Sequence, residues 1–343
     1  MKVSFVSSQA ITQALRYQMQ RTQMELVHAN KELVSGRVAD VGLALGARTG
    51  VSVSMHREMD RLAGLMDSNG LASSRLSSIQ EGLQQLTEAA NLLLTDLATA
   101  SNGATDPGVT RQQAESVLSM MTSVLNGNLN GEHLYAGINT DVRPLNDFLD
   151  PNSANRMAFD AAFAAYPFAD PANITSGEMD AFLTSVEGQF LGAGWNGVWS
   201  TATDQEITSR ITLTETAQTS VSANIPGFRK LAMAAATVAA TFDGNLSEAG
   251  REVVLDRAIN LLGQVVSDLA NEQGKVGITE QRIDKASERM SMQIDLFKTS
   301  LLDLEGVDEN EAAVRVTGLK AQLELSYSLT SQMMQLSLLR YLS

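Results

Sequence analysis

The chain lacks cysteine altogether, so it can form neither disulfides nor thiolate metal sites. Aromatic residues make up only 5% of its 343 residues, and no apolar run reaches membrane-spanning length, which argues against membrane insertion. Basic residues are outnumbered by acidic ones, giving a formal net charge of −14. The basic stripe that nucleic-acid binding requires is therefore missing, and we expect no nucleic-acid partner.

A secretory signal peptide is also missing from the sequence pattern, because the first twenty residues contain no continuous apolar segment. If the protein leaves the cytoplasm, we expect it to use a route without a cleaved signal. The length is sufficient for two or three domains with a sizeable core.

Residues suited to catalysis or metal binding are few and scattered. His28, His56 and His133 are not at metal-ligand spacing from one another, so we interpret them as surface or packing residues and predict no metal, cofactor or catalytic site. The run GAGWNG at Gly192–Gly197 matches a dinucleotide-binding motif by letter but lacks its strand and helix, and so indicates a compact loop. A cluster of carboxylates near a predicted helix start favours the helix dipole: Glu305, Asp308, Glu309 and Glu311.

What the sequence does contain is long helical periodicity. Twelve positions between Leu62 and Ala100 follow an alternating three-four spacing, and eleven are apolar, with Asn69 as the exception. A similar pattern runs from Leu255 to Leu304, and a weaker one from Thr12 to Leu33. Glycine-rich or acidic turns interrupt the pattern after residues 35, 101 and 305. These patterns predict long helices at both chain ends that pack as a coiled-coil-like rod.

The middle of the chain has a different composition. Residues 135–226 contain five of the six prolines, both tryptophans and a Thr-, Ser- and Ile-rich stretch that is typical of strands. We predict a mainly α fold with three parts: a terminal-helix domain of residues 1–48 and 307–343, a rod domain of residues 49–134 and 227–306, and a mixed α/β or β-rich insertion at 135–226.

The C-terminal helix carries two apolar faces. On a helical wheel, six residues lie on one side: Leu323, Tyr327, Thr330, Met334, Leu338 and Tyr341. Five lie on the other: Leu325, Leu329, Met333, Leu336 and Leu339. An ordinary surface helix has one apolar face, so a second one predicts a partner subunit. The alternative is a helix buried centrally in its own fold. We predict an assembly interface formed by the following residues: Leu15, Met19, Leu26, Leu33, Leu325, Leu329, Met333, Leu336, Leu339 and Tyr341.

Both chain ends resemble known motifs. The segment Lys31–Leu62 is similar to the N-terminal motif of the bacterial flagellin family, and Asp308–Leu342 is similar to its C-terminal motif. The run NLNGEHLYAGINTDVRPL at Asn128–Leu145 resembles the signature of the hook–filament junction members of that family, a turn that we expect to depend on Tyr135, Gly137 and Pro144.

This resemblance implies a structural, non-enzymatic subunit of the extracellular bacterial flagellum. It implies assembly through the N- and C-terminal helices into a ring or helical array, between the hook-side junction protein and flagellin. It also implies type III export without a cleaved signal and a dedicated export chaperone for the C-terminal helix.

Three alternatives stay open at this point. The first is a flagellin that forms the filament itself, which would be present in thousands of copies rather than a few. The second is an enzyme or ligand-binding domain within residues 135–226, for which no residue pattern assigns a reaction. The third is a coiled-coil, chemoreceptor-like signalling protein, which the missing membrane spans argue against.

Overall fold

A computed structural model describes residues 8–103, 105–170, 173–242 and 246–342, apart from the side chains of residues 8, 9, 12 and 333–342. About 73% of the chain is helical, which confirms the predicted mainly α fold with a small strand-containing middle region. The elements, in chain order, are α1 Ser8–Ser35, α2 Val41–Leu45, α3 Thr49–Ser101, α4 Pro107–Leu125, β1 Asn128–Leu129, β2 Glu132–His133, α5 Ala154–Ala165, α6 Ser176–Phe190, β3 Thr208–Arg210, β4 Thr216–Gln218, α7 Pro226–Thr241, α8 Glu248–Glu305 and α9 Glu309–Leu342.

Helix boundaries follow local chemistry. Helix α4 begins at Pro107 behind Asp106, whose carboxylate accepts a hydrogen bond from the Gly108 amide. Helix α6 begins with a capping box between Thr175 and Glu178. Helix α1 ends before Gly36, whose φ of +65° suits glycine. The turn signals read from the sequence after residues 35, 101 and 305 coincide with the ends of α1, α3 and α8.

The chain divides into two compact units. A terminal unit contains residues 1–64 and 290–343, and a larger unit contains residues 65–289. The finer division into three domains, with the limits given above, stays a prediction. Among the described residues, no helix combines the length and the apolar character that a membrane span requires.

The larger unit holds one hydrophobic core. Helices α3 and α8 run antiparallel within it, because Asn69 Nδ2 lies 3.1 Å from Ser287 Oγ and Gln273 Nε2 lies 3.4 Å from Thr87 Oγ1. The predicted apolar face of α3 is buried here from Ala72 to Leu97, as is that of α8 from Leu255 to Ile283. The apolar periodicity thus identified the buried helix faces correctly.

Aromatic side chains fill the core beside the inserted segment. Trp195 and Trp199 stack with ring centroids 5.6 Å apart, and Phe148 also stacks on Trp199 with ring centroids 5.1 Å apart. The loop at Gly192–Gly197 follows helix α6 rather than a strand, so it is the compact loop that we predicted. Strands β3 and β4 form an antiparallel pair within the stretch that was predicted to be strand-rich.

The terminal unit contains helices α1 and α9, which pack against each other. They are antiparallel, since Glu32 contacts Arg315 near one end and Met19 contacts Thr330 further along. Every described residue of the main hydrophobic core lies between residues 72 and 283, and therefore in the larger unit. The terminal unit has little core of its own, although its helices are long and partly apolar.

Candidate assembly surface and anchored turn

The seam between α1 and α9 combines apolar and polar contacts. Gln23 Nε2 donates to Tyr327 Oη at 2.7 Å, and Thr330 Oγ1 lies 3.9 Å from the Met19 sulfur. At the other end, Arg315 donates to Glu32 at 3.1 Å and to Glu311 of its own helix at 2.8 Å. The three contacts between the helices fix their register, since each links a particular turn of α1 to a particular turn of α9.

The predicted interface residues occupy two different places. Leu15, Met19, Leu26 and Leu33 are half-buried, on the same face of α1 as the buried Thr22 and Ala29. Leu325 and Leu329 are 65% and 52% exposed, on the face of α9 that is directed away from α1. In the single chain, this part of α9 is therefore not buried centrally. The remaining predicted side chains lie outside the described residues: Met333, Leu336, Leu339 and Tyr341.

Helix α1 also has a second apolar face, which the sequence analysis missed. Tyr17, Met24, Val27 and Val34 recur at spacings of seven, three and seven residues and are all exposed, Tyr17 by 72% and Val34 by 88%. At about 100° per residue, this outer stripe lies about 145° from the face that packs on α9. These spacings are visible in the sequence. The stripe was missed because the opposite face of α1, with Leu15, Met19, Leu26 and Leu33, has the stronger apolar pattern.

Exposed apolar side chains are concentrated in the terminal unit. Among the described residues, fifteen of the large apolar side chains that are exposed belong to it, against eight in the larger unit, although the larger unit has more residues. Isolated exposed apolar residues are normal on protein surfaces, but here they form stripes along two paired helices. The terminal unit therefore presents an unusual amount of exposed apolar area, and its use as an assembly interface stays a prediction.

The turn at Asn128–Leu145 is anchored by Tyr135 in the larger unit. The Tyr135 hydroxyl donates to the Ile79 carbonyl of α3 at 3.0 Å, and its ring meets Phe228 edge-on at 5.7 Å. The amide of Ala223 donates to the Tyr135 carbonyl at 2.7 Å. Burial raises the pKa of the Tyr135 hydroxyl, so that this group stays a neutral donor. The side chain thus ties the turn to the helical core.

Gly137 and Pro144 hold the rest of this turn. Gly137 has a φ of +68°, and a Cβ atom there would overlap Thr203 Oγ1 and lie 2.5 Å from the Thr203 carbonyl oxygen. Pro144 is buried, and its carbonyl accepts the Thr201 amide at 3.0 Å. The structure therefore brings the three predicted turn residues into one packed segment, while their role in assembly stays a prediction.

Replacing Tyr135 by phenylalanine is expected to lower the free energy of unfolding of the larger unit by about 1 kcal/mol, because the Ile79 carbonyl loses the buried hydroxyl that donates to it. The cost is modest because the Ile79 carbonyl lies in a helix and keeps its backbone donor. Urea unfolding followed by tryptophan fluorescence measures it. The matched control is Tyr17→Phe, whose exposed hydroxyl should contribute nothing measurable. Equal stabilities for both variants would contradict the anchoring role of the Tyr135 hydroxyl.

Of the four carboxylates that were predicted to lie near a helix start, Glu305 lies in a different environment. Asp308, Glu309 and Glu311 do lie at the start of α9, where the Asp308 side chain accepts the amides of Asn310 and Glu311. Glu305 instead ends α8 and is buried. It accepts hydrogen bonds from Ser52 and His56. Because both residues are distant in sequence, the residues next to Glu305 could not predict this environment.

The histidines have unrelated surroundings. His28 is exposed on α1, and His133 Nδ1 lies 2.9 Å from the Asn126 carbonyl oxygen. His56 contacts Glu305 at 3.1 Å. Within the part of the chain that the structure describes, no group of three or more metal-ligating side chains comes together.

The structure defines the class of this protein as a helical structural subunit built for assembly. The features that define it are the paired chain ends, their uncovered apolar stripes and the packed middle region.

Comparisons identify its family. Residues 6–140 match the family model for the bacterial flagellin N-terminal helical region, and residues 259–342 match that for the C-terminal helical region. The matches cover more than half of the chain, which therefore belongs to the bacterial flagellin family. Members are structural, non-enzymatic proteins that self-assemble in the flagellum, and this chain is a flagellar component.

A solved structure shares the fold. It comes from Vibrio parahaemolyticus and carries a provisional assignment as a flagellar hook-associated protein. The match has a TM-score of 0.53 at 13% identity and covers 75% of this chain and 97% of the other. No curated protein matches the sequence significantly.

Proposed function

We propose that this protein is a junction subunit that joins the hook-side junction protein to the flagellin filament, and that it assembles through α1 and α9. The observation that carries the assembly role is the pair of exposed apolar stripes on these helices, Tyr17–Val34 on α1 and Val314–Leu329 on α9. The resemblance of Asn128–Leu145 to the junction signature and the fold shared with the hook-associated structure support the position at the junction.

The arrangement of the stripes favours one kind of contact. Each outer stripe lies roughly 130–150° around its helix from the α1–α9 seam, so the two stripes are on opposite sides of the helix pair. A two-fold contact would cover the same stripe on both molecules and leave the other bare. A heterologous contact, with α9 of one copy or relative against α1 of the next, covers both and repeats. The proposal is therefore an open or ring-forming array rather than a closed dimer.

The same proposal assigns an export route. Apolar stripes of this kind would associate prematurely in the cytoplasm, because each buried Leu or Met side chain contributes about 1.5–3 kcal/mol. A dedicated export chaperone that covers α9, and passage through the type III apparatus without a cleaved signal, solve this problem. The predicted residues Met333, Leu336 and Leu339 continue the outer stripe of α9 in the sequence pattern.

Deleting the gene is expected to produce cells that keep their hooks, lack filaments and release unpolymerised flagellin into the medium. The physical reason is that filament subunits would have no surface on which to start. Electron microscopy of the cells and immunoblotting of the medium measure the result, with the complemented strain as control. Flagella that are merely shorter, together with thousands of copies of this chain per filament, would instead identify it as a filament flagellin.

A further inference from the structure

A buried carboxylate joins three segments of the terminal unit. Glu305, the last residue of α8, is only 2% exposed. Its Oε1 accepts a hydrogen bond from Ser52 Oγ and lies 3.1 Å from His56 Nε2. Its Oε2 accepts Arg37 Nη1 at 3.4 Å. A buried carboxylate needs such donors, because burying an ion without partners is strongly unfavourable.

Backbone hydrogen bonds surround the same point. The Val38 amide donates to the Glu305 carbonyl at 2.8 Å, and the Val307 amide donates to the Gly36 carbonyl at 3.0 Å. Arg37 and Gly306 form an isolated antiparallel bridge. The segment that leaves α1 is thus hydrogen-bonded to the segment that enters α9, at the base of the helix pair.

We propose that Glu305 is a positioning residue that latches the segment after α1 to the turn before α9, and so holds the base of the α1–α9 pair for assembly. We call the contacts of Glu305 with Arg37, Ser52 and His56, and the Val38 and Val307 backbone bonds, the Glu305 latch. The consequence for assembly rests on the proposed function, whereas the latch itself is a property of the single chain.

The latch has a defined response to acid. Burial alone would raise the pKa of Glu305, but the hydrogen bonds from Ser52 and His56, with the positive charge of Arg37 and of protonated His56, outweigh it and lower that pKa. A carboxylate with a lowered folded-state pKa stabilises the fold above the ordinary carboxyl pKa of about 4.3, and this contribution is lost as the pH falls through the lower folded value.

Other charged groups near the latch are occupied elsewhere. Lys31 donates to the Ala39 carbonyl, Glu32 accepts the Ala39 amide and pairs with Arg315, and Asp308 caps α9. Glu309 approaches Gly36 but is exposed, and Asp303 is exposed on the last turn of α8. In the described part of the chain, Arg37 is therefore the guanidinium in direct contact with Glu305, and the His56 ring is the other basic group that contacts it.

The test is hydrogen exchange of the full-length monomer, comparing wild type with Glu305→Gln. At pH 7, we expect the amides of Val38 and Val307 to exchange about tenfold or more faster in the variant, as for loss of a hydrogen bond to a charged group. After correction for intrinsic exchange, lowering the pH toward 3 should accelerate these amides in wild type but not in Glu305→Gln. If Glu305 only filled space, the exchange of these two amides would depend on pH in the same way in wild type and in Glu305→Gln.

Two further variants complete the design. Glu309→Gln removes a neighbouring exposed carboxylate and should leave the Val38 amide unchanged. Arg37→Gln, at a half-exposed position, should weaken the latch in the same direction if Glu305→Gln does not fold. Two results would overturn the latch. The first is exchange of the Val38 and Val307 amides within twofold of wild type in both Glu305→Gln and Arg37→Gln. The second is exchange of these amides in wild type that does not change with pH. If Glu305→Gln loosens the latch in the monomer but still assembles normally, the latch does not hold the helix pair for assembly. That result would overturn this part of the inference and leave the proposed assembly surface on α1 and α9 untouched.

Discussion

Replacing Leu329 by aspartate is expected to abolish assembly of the protein and leave its monomer folded. Leu329 is exposed in the single chain, so the substitution should change the free energy of unfolding by less than about 0.5 kcal/mol. In the proposed array the side chain is covered by the outer stripe of α1 on the next subunit. Loss of a buried leucine and burial of a carboxylate together should weaken each contact by about 4 kcal/mol or more, which is about a thousandfold.

The matched control for this variant is Ser331→Asp, which adds the same carboxylate two residues further along α9. Ser331 is also exposed, but it lies on the opposite flank of the helix, away from the outer stripe. Sedimentation velocity of the purified chains with flagellin measures assembly, and motility of complemented cells reports the same defect. The control should assemble and support swimming. Normal incorporation of the Leu329→Asp chain at the hook tip would show that this stripe is not an assembly surface.

Replacing Gly137 by alanine is expected to destabilise the larger unit by about 3 kcal/mol or more, the largest effect on stability that we predict for a single methyl group. Two costs add. A residue with a side chain at a φ of +68° is strained by about 1 kcal/mol or more, and the new Cβ would clash with Thr203 and with the Gln205 carbonyl oxygen. Because the clash is with backbone as well as side chain, the turn itself must shift.

The control is Gly197→Ala, which separates the two costs. Gly197 has a similar φ of +83°, but its Cβ would meet nothing within 4 Å, so only the backbone strain of about 1 kcal/mol is expected. Urea unfolding followed by fluorescence of Trp195 and Trp199, both in the larger unit, measures the two variants. Equal losses of stability would show that the packing of Gly137 against Thr203 contributes nothing.

The long helices show what periodicity predicts and where it stops. The helical pattern on one face of α8 extends in the sequence to Leu304, yet its apolar members Phe297 and Leu304 are only half-buried. Periodicity identifies which face of a helix is able to pack. It contains no information on whether another element lies against that face.

Polar residues on these helices were harder to interpret. Asn69 is the polar exception on the predicted face of α3, and it is buried, where it donates to the Ile211 carbonyl and to Ser287. Glu305 has partners between 249 and 268 positions away. A hydrogen bond between such distant residues leaves no periodic signal, so a single sequence could not identify either environment.

The sequence by itself determined the helical class, the ends of α1, α3 and α8, the apolar faces of α3 and α8, and the second apolar face of α9, because side-chain spacing and turn residues act over a few positions. Only the tertiary structure decided that the second faces of α1 and α9 stay exposed on opposite sides of one helix pair, and that Glu305 accepts hydrogen bonds from two distant segments, the one after α1 and the start of α3. Burial depends on which distant elements pack together, and that choice is made by the whole chain.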